Sequence, residues 1–320
     1  MALNPNYPNG FTTSVTIREV PVSIAQPGQV YWVYGGSAIL PGQRGGSNSN
    51  RGTFNSPFAT IAYAITHCVA NRGDIIMVKA GHTETVSSAT TMLANIAGVA
   101  VIGLGTGSLR PNITLNTANT ATIPVSADNF AFKNMIFTAN FLAIAACFTV
   151  TAKNFAVEDC SFYDTSGVLN FLNIVNASGG ANTADGLRFV SNEVINQSTS
   201  NGNTTLLLAN TVDRLVATDN YIRFPANNDK AILSIVTTGI LTNARVLRNM
   251  CYRPNTTTAG GSLITVGGAT STGIVALNYV QTLTTTSDLL FTTTVGLAAF
   301  DNRVTGVVGA SGFLIPAADS

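Results

Sequence analysis

The chain has 320 residues and a formal net charge of +1; Lys, Arg, Asp and Glu make up 10% of it and hydrophobic residues 46%, where an average soluble domain is about 25% charged. The near-zero balance removes the electrostatic footprint of a nucleic-acid or anionic-membrane binder, and the high apolar content is the opposite of the signature of an unfolded chain. Polarity comes instead from 32 Asn and 42 Thr, which hydrogen-bond well and do not titrate.

Residues 1–52 are rich in Asn, Pro, Gly and Ser and predict an N-terminal arm or attachment segment, with one strand at residues 14–20 and an aromatic patch at Tyr31, Trp32 and Tyr34. No basic stretch followed by an apolar one opens the sequence, so no signal peptide is expected. The longest strongly apolar run, residues 141–150, falls short of the roughly 20 residues of a membrane helix. Residues 53–73 predict a capping helix. Ser56 and Pro57 have the chemistry of an N-cap and a first-turn proline, and Phe58, Ile61, Ala62, Ile65 and Cys68/Val69 follow at helical spacing.

From residue 74 to 303 the sequence repeats. Short alternating runs reach an Asn or its equivalent at Met135, Cys160, Asn192, Asn220, Asn249, Asn278 and Asn302, in steps of 24 to 32 residues. Each is preceded by a second strand-like run, at residues 122–126, 147–151, 171–175, 205–209, 231–236, 262–266 and 289–294. Two or three short strands per repeat, with no room for long helices, predict one coil of a parallel β-helix per repeat. The expected fold is therefore all-β: a single-stranded right-handed parallel β-helix with an N-terminal capping α-helix and arm, closed by residues 304–320. In such a stack Asn192, Asn220, Asn249, Asn278 and Asn302 would lie one above another about 4.8 Å apart, forming a structural Asn ladder, and Asn tolerates a left-handed turn. Cys68, Cys147, Cys160 and Cys251 show no C-x-x-C spacing and read as free buried thiols.

The segment from Gly52 through Arg110 resembles the N-terminal part of phage and prophage virion proteins with a pectate-lyase-like parallel β-helix. The resemblance rests on Tyr31-Trp32-Val33, on Ser56-Pro57-Phe58-Ala59-Thr60-Ile61, on residues 73–78 with Gly81-His82-Thr83-Glu84-Thr85, and on residues 97–99 and 102–105 with Leu109-Arg110-Pro111. It implies a virion structural protein without a cofactor, a homotrimer of capsid decoration or cement type. Such a protein is made in the host cytoplasm and attached to the major capsid protein or another virion protein, with neither nucleic acid nor membrane as partner. The alternative is a tailspike or tail-fibre protein that binds or depolymerises host polysaccharide.

Glycoside hydrolysis needs two carboxylates about 5 to 9.5 Å apart. The column preceding the ladder reads Asn134, Asp159, Ser191, Asp219, Arg248, Leu277 and Asp301, with a non-acidic coil between successive acids. Glu158, Asp159 and Asp164 form the densest acidic cluster and read as turn residues. His82 and Glu84 would share one face of a strand, as a turn brace or two ligands of an incomplete metal site. On these grounds neither catalytic nor metal residues are expected, and the chain is expected not to be an enzyme.

Overall fold

A computed structural model describes residues 28–37, 42, 44–177, 179–197, 204–223, 239–253, 270–282 and 296–303, together with the strand backbones at 15–17, 20–22, 233–235, 264–266, 303–305 and 312–313. The chain winds as a right-handed parallel β-helix. Sheet I has ten strands, running from Val30–Val33 to Leu297–Phe300; sheet II has ten, from Thr83–Val86 to Arg303–Thr305 with Gly312–Phe313 antiparallel at its end; sheet III has six, from Ile123–Val125 to Ile264–Val266. A representative coil contributes Ala156–Glu158 to sheet I, Ser161–Asp164 to sheet II and Asn173–Ala177 to sheet III. The expected strand at residues 289–294 lies outside the described residues.

Alternation places one residue in two inside the coil. In sheet II the inward column includes Ile113, Phe137, Phe162, Val194, Ile222 and Cys251, all buried. Phe137 and Phe162 stack at 5.2 Å and 13°, and Phe162 and Phe189 at 5.9 Å and 28°. Such offset contacts add about 1 kcal/mol beyond the burial of area.

The corner between sheets I and II repeats a fixed pair of conformations. Asn134, Asp159, Ser191, Asp219, Arg248, Leu277 and Asp301 all have φ between 50° and 61°, and the next residue turns inward. From the third of these corners onward that inward residue is an Asn, beginning with Asn192, and the side-chain oxygen of each Asn accepts from the backbone N–H of the coil before, Cys160 N–H donating to Asn192 Oδ1 at 2.9 Å. Asn192 N–H donates to Asn220 Oδ1 (2.9 Å), Asn220 N–H to Asn249 Oδ1 (3.1 Å), Asn249 N–H to Asn278 Oδ1 (2.9 Å) and Asn278 N–H to Asn302 Oδ1 (3.1 Å). The amide Nδ2 of Asn220 also donates to Asn249 Oδ1 (2.8 Å) and to the Phe189 carbonyl (2.9 Å). The left-handed residue is thus the one before the ladder Asn, not the Asn itself. The Asn is required for its amide, which satisfies backbone groups buried with it.

The N-terminal end departs from expectation in two places. Val30–Val33, within the segment expected to be an arm, is the first strand of sheet I and pairs in parallel with Ile75–Val78. The helix α1 spans Ile61–His67, and its N-cap is Thr60, whose Oγ1 accepts from Tyr63 N–H (3.2 Å). Ser56 and Pro57 are not the cap. Ser56 bridges to Thr53, and Phe58 exchanges backbone bonds with Trp32 and Tyr34 as a strand-like bridge to Val33, which keeps residues 56–58 extended. The apolar spacing is real, but Phe58 packs from an extended segment. The Glu84 carboxylate accepts from the N–H groups of Ile61 (2.7 Å) and Ala62 (3.4 Å), and His82 links it to Gly35 N–H. His82 and Glu84 thus brace the free end of α1.

Asp74 closes the turn into the first coil. Its side chain is fully buried and accepts from Arg72 Nε and Nη2 and from the N–H groups of Val69 and Gln29, at 2.7 Å each. Burial by itself would raise this carboxyl; the Arg72 fork and the two N–H groups outweigh it and hold it below the usual carboxylate value.

Three outcomes test these contacts. Replacing Asn220 with Ala orphans the buried Asn192 N–H and removes the amide bonds to Phe189 and Asn249, and is expected to destabilise the protein by about 3 kcal/mol, read by denaturant unfolding. Thr60→Ala is expected to cost about 1 kcal/mol, while Ser56→Ala is close to neutral; the reverse order would restore Ser56 as the cap. Because the folded-state value of Asp74 lies below the unfolded one, its contribution is complete above the unfolded pKa and lost as pH falls through the folded value. The melting-temperature gap between wild type and Asp74→Asn is therefore expected to be widest near neutrality and to narrow below about pH 4.

Candidate functional site

The corner that carries the ladder also shapes a surface groove. A residue with φ near 55° turns its side chain out of the coil, and the outward residues of sheet II begin two positions later. The groove, about 640 Å3, is floored by Cys160 and Asn192 and walled on the coil side by Asn134, Asp159, Ser191 and Asp219. Ser161, Glu193 and Tyr221 form its sheet II wall, and Thr106, Gly107 and Arg110 its far lip. The lip exists because residues 104–111 leave the coil where the chain passes close to its neighbour. A Cβ on Gly103 would lie 2.2 Å from the Asn134 carbonyl oxygen, and Gly105 takes φ +93°.

Three carboxylates enter this groove from successive coils. Asp159 precedes the strand Ser161–Asp164, Glu193 opens the next strand of sheet II, and Asp219 precedes the one after it. The register pairs Ser161 with Glu193 and Glu193 with Tyr221. Neighbouring strands are about 4.8 Å apart, so the coil skipped in the Asp159–Asp219 column is filled by Glu193 from two residues further along. The non-acidic coil in that column therefore does not leave a coil without an acid in the groove.

Each acid is held. Glu193 Oε2 accepts from Tyr163 OH (2.6 Å) and Ser161 Oγ (3.0 Å). Arg110 Nη2 donates to Ser161 Oγ (2.7 Å), while its Nη1 and Nε donate to the carbonyls of Asp159 and Gly107. Lys133 Nζ lies 3.2 Å from Asp159 Oδ2 and 3.7 Å from Glu158 Oε2, and Glu158 also pairs with Arg188. Arg248 grips both oxygens of Asp219 at 2.7 Å and lowers that carboxyl against an opposing push from partial burial. The Tyr163 hydroxyl is raised by burial and by the Glu193 carboxylate that it donates to, so it stays protonated as a donor. Burial pushes the Cys160 and Cys68 thiols up to about 12 and raises Cys147 as well; such thiols are not nucleophiles at neutral pH.

Beside the groove, the outer face of sheet II is aromatic. Tyr163 and Tyr252 stand in one outward column and Tyr221 and Tyr279 in the other, with Met250 between the latter two. Half of the chain's eight tyrosines are thus on one sheet face, and all four are at least partly exposed.

Of the residues singled out in the sequence, Asp159 and Asp219 meet in the groove and Asn192 lies beneath it. Asp164 turns away, accepting from the N–H groups of Phe171 (2.9 Å) and Gln197 (2.8 Å). His82 and Glu84 are committed to the N-terminal brace; the one other histidine, His67, packs on α1 against Phe58 and Tyr63. Among the described residues no group of three His, Cys, Asp or Glu side chains could hold a metal ion. Sequence reading passed over Glu193 and the tyrosines, although the alternation Glu193-Val194-Ile195, Tyr221-Ile222-Arg223 and Met250-Cys251-Tyr252 directly after each ladder Asn marks a third strand.

No protein-family model matches the chain, and no curated protein matches it. Among solved structures it is similar to one titled rhamnogalacturonan lyase, at 14% sequence identity over 79% of this chain and 68% of that one, with a TM-score of 0.40. The expectation that the chain is not an enzyme does not stand: the similar structure is a lyase by title, and the acids of the groove come from adjacent coils rather than from alternate ones. At that identity and TM-score the likeness assigns no activity to this chain.

Loss of the Arg248 guanidinium is expected to leave the fold intact and let Asp219 titrate closer to the ordinary carboxylate value. The check is the Asp219 side-chain carboxyl resonance followed by NMR through acid titration in wild type and Arg248→Ala; identical midpoints would refute the pairing.

Proposed function

We propose that the chain is a β-helical surface protein of a phage virion whose lateral groove holds a polysaccharide strand. The observation that carries the polysaccharide part is the run of carboxylates on three successive coils, Asp159, Glu193 and Asp219, beside the outward tyrosines of sheet II. Sugar hydroxyls donate to carboxylates and accept from guanidinium and tyrosine donors, and the apolar faces of sugar rings pack on aromatic rings. A groove that follows the coil axis offers the same chemistry from one coil to the next, which suits a polymer of repeating units.

The virion part is supported by the resemblance along residues 52–110 and by a weakly charged, stacked scaffold. In this reading three copies pack side by side on the capsid surface and contact the major capsid protein or another virion protein through the N-terminal segment. Tail placement is the second reading, and the groove favours it, because a tail component is the part of a virion that meets host-envelope polysaccharide.

Tyr221→Ala removes an aromatic platform from the groove edge without touching the core. It is expected to weaken binding of a cognate glycan by roughly ten-fold or more in calorimetric titration, in line with about 1.5 kcal/mol for an aromatic contact, with unchanged thermal stability. Removing residues 1–27, which stops short of the strand Val30–Val33, is expected to leave the β-helix folded and abolish attachment to virions; a truncated chain that still decorates them would refute attachment through this segment.

A further inference from the structure

We infer that the groove selects an uncharged glycan and rejects uronate-containing ones; this rests on the groove being the polysaccharide site. The electrostatics of the groove carry the inference. The cations that touch its acids or its lip are already engaged, and Arg223, exposed on sheet II two residues beyond Tyr221, lies outside its lining. Arg248 has both arms on Asp219, Lys133 lies between Asp159 and Glu158, and Arg188 pairs with Glu158. Arg110 spends Nε, Nη1 and Nη2 on two carbonyls and the Ser161 hydroxyl.

A sugar carboxylate is recognised by an open guanidinium fork or an ammonium group, and in this groove an incoming uronate would have to displace an existing partner to obtain one. It would also meet Asp159, Glu193 and Asp219 within a span of three coils, and like charges facing each other at such range are repulsive. A neutral sugar has neither difficulty. Its hydroxyls donate to carboxylate lone pairs left free by the existing bonds, and Glu193 shows two hydroxyl donors, from Ser161 and Tyr163, on one oxygen. Those contacts demonstrate the geometry by which a sugar hydroxyl would approach the other.

The test uses the full-length protein and three hexasaccharides, maltohexaose, the N-acetylglucosamine hexamer and hexagalacturonate, titrated by calorimetry at low and at physiological salt. The expected result is that at least one neutral hexamer binds about ten-fold or more tightly than hexagalacturonate. Its affinity should change by less than about two-fold between the two salt conditions, since no ionic contact is formed. Tyr221→Ala should weaken that binding about ten-fold or more. Tighter binding of hexagalacturonate, weakened by salt and by Tyr221→Ala, would overturn the selectivity while leaving the groove as a glycan site. Binding of any hexamer that is indifferent to Tyr221→Ala, or binding of none, would overturn the site and the selectivity together.

Discussion

The fold depends on a problem at one corner. Where sheet I turns into sheet II the chain must bend sharply, and it does so with a residue in the left-handed region at every coil from Asn134 to Asp301. For a residue other than Gly this conformation costs about 1 kcal/mol or more. The bend also takes backbone N–H groups out of the strand ladders and into the interior, where an unmet donor costs a further 1–3 kcal/mol. The buried Asn that follows answers the second cost: its oxygen takes the N–H of one coil and its amide returns to a carbonyl of a coil before. Without that side chain the corner would carry both penalties at each turn of the helix.

The same corner determines where charge can be placed. Side chains in register on adjacent coils stand about 4.8 Å apart, so a column of like charges is excluded. This accounts for a chain that is only 10% charged. Charges near this corner are matched across coils: Lys133 with Glu158 and Asp159, Arg188 with Glu158, Arg248 with Asp219. The left-handed residue turns its side chain outward, which makes the corner the natural place for these pairs and for the groove beside them. Scaffold and site therefore share one structural cause.

Much of this was legible in the sequence. The Asn spacing gave the coil period, the inward and outward alternation gave sheets I and III, and the Asn stack was readable from five residues. What was not legible followed from treating the ladder Asn as the end of a repeat. The three or four residues after it form sheet II, and they carry Glu193, Tyr163, Tyr221, Tyr252 and Tyr279. Their signal was weak because each strand shows a single inward residue, such as Val194 or Ile222, between two outward ones. The carboxylate pairing was missed for the same reason: it joins a corner residue of one coil to a strand residue of the next. Thr60 was passed over as a cap because Ser56-Pro57 has the right chemistry, and only the bridge from Phe58 to Val33 shows that those residues are occupied in an extended pairing.

The ladder has a direction. In every step from Asn192 to Asn302 the oxygen belongs to the later coil and the N–H to the earlier one, so each coil offers its predecessor the same acceptor and asks the same of its successor. Coils of this kind are interchangeable units. Gene-level insertion or loss of one whole repeat would rejoin an unbroken ladder, whereas a fraction of a repeat would leave it open. The length of the column can therefore evolve in steps of about 4.8 Å, like the divisions of a ruler, without redesign of either end.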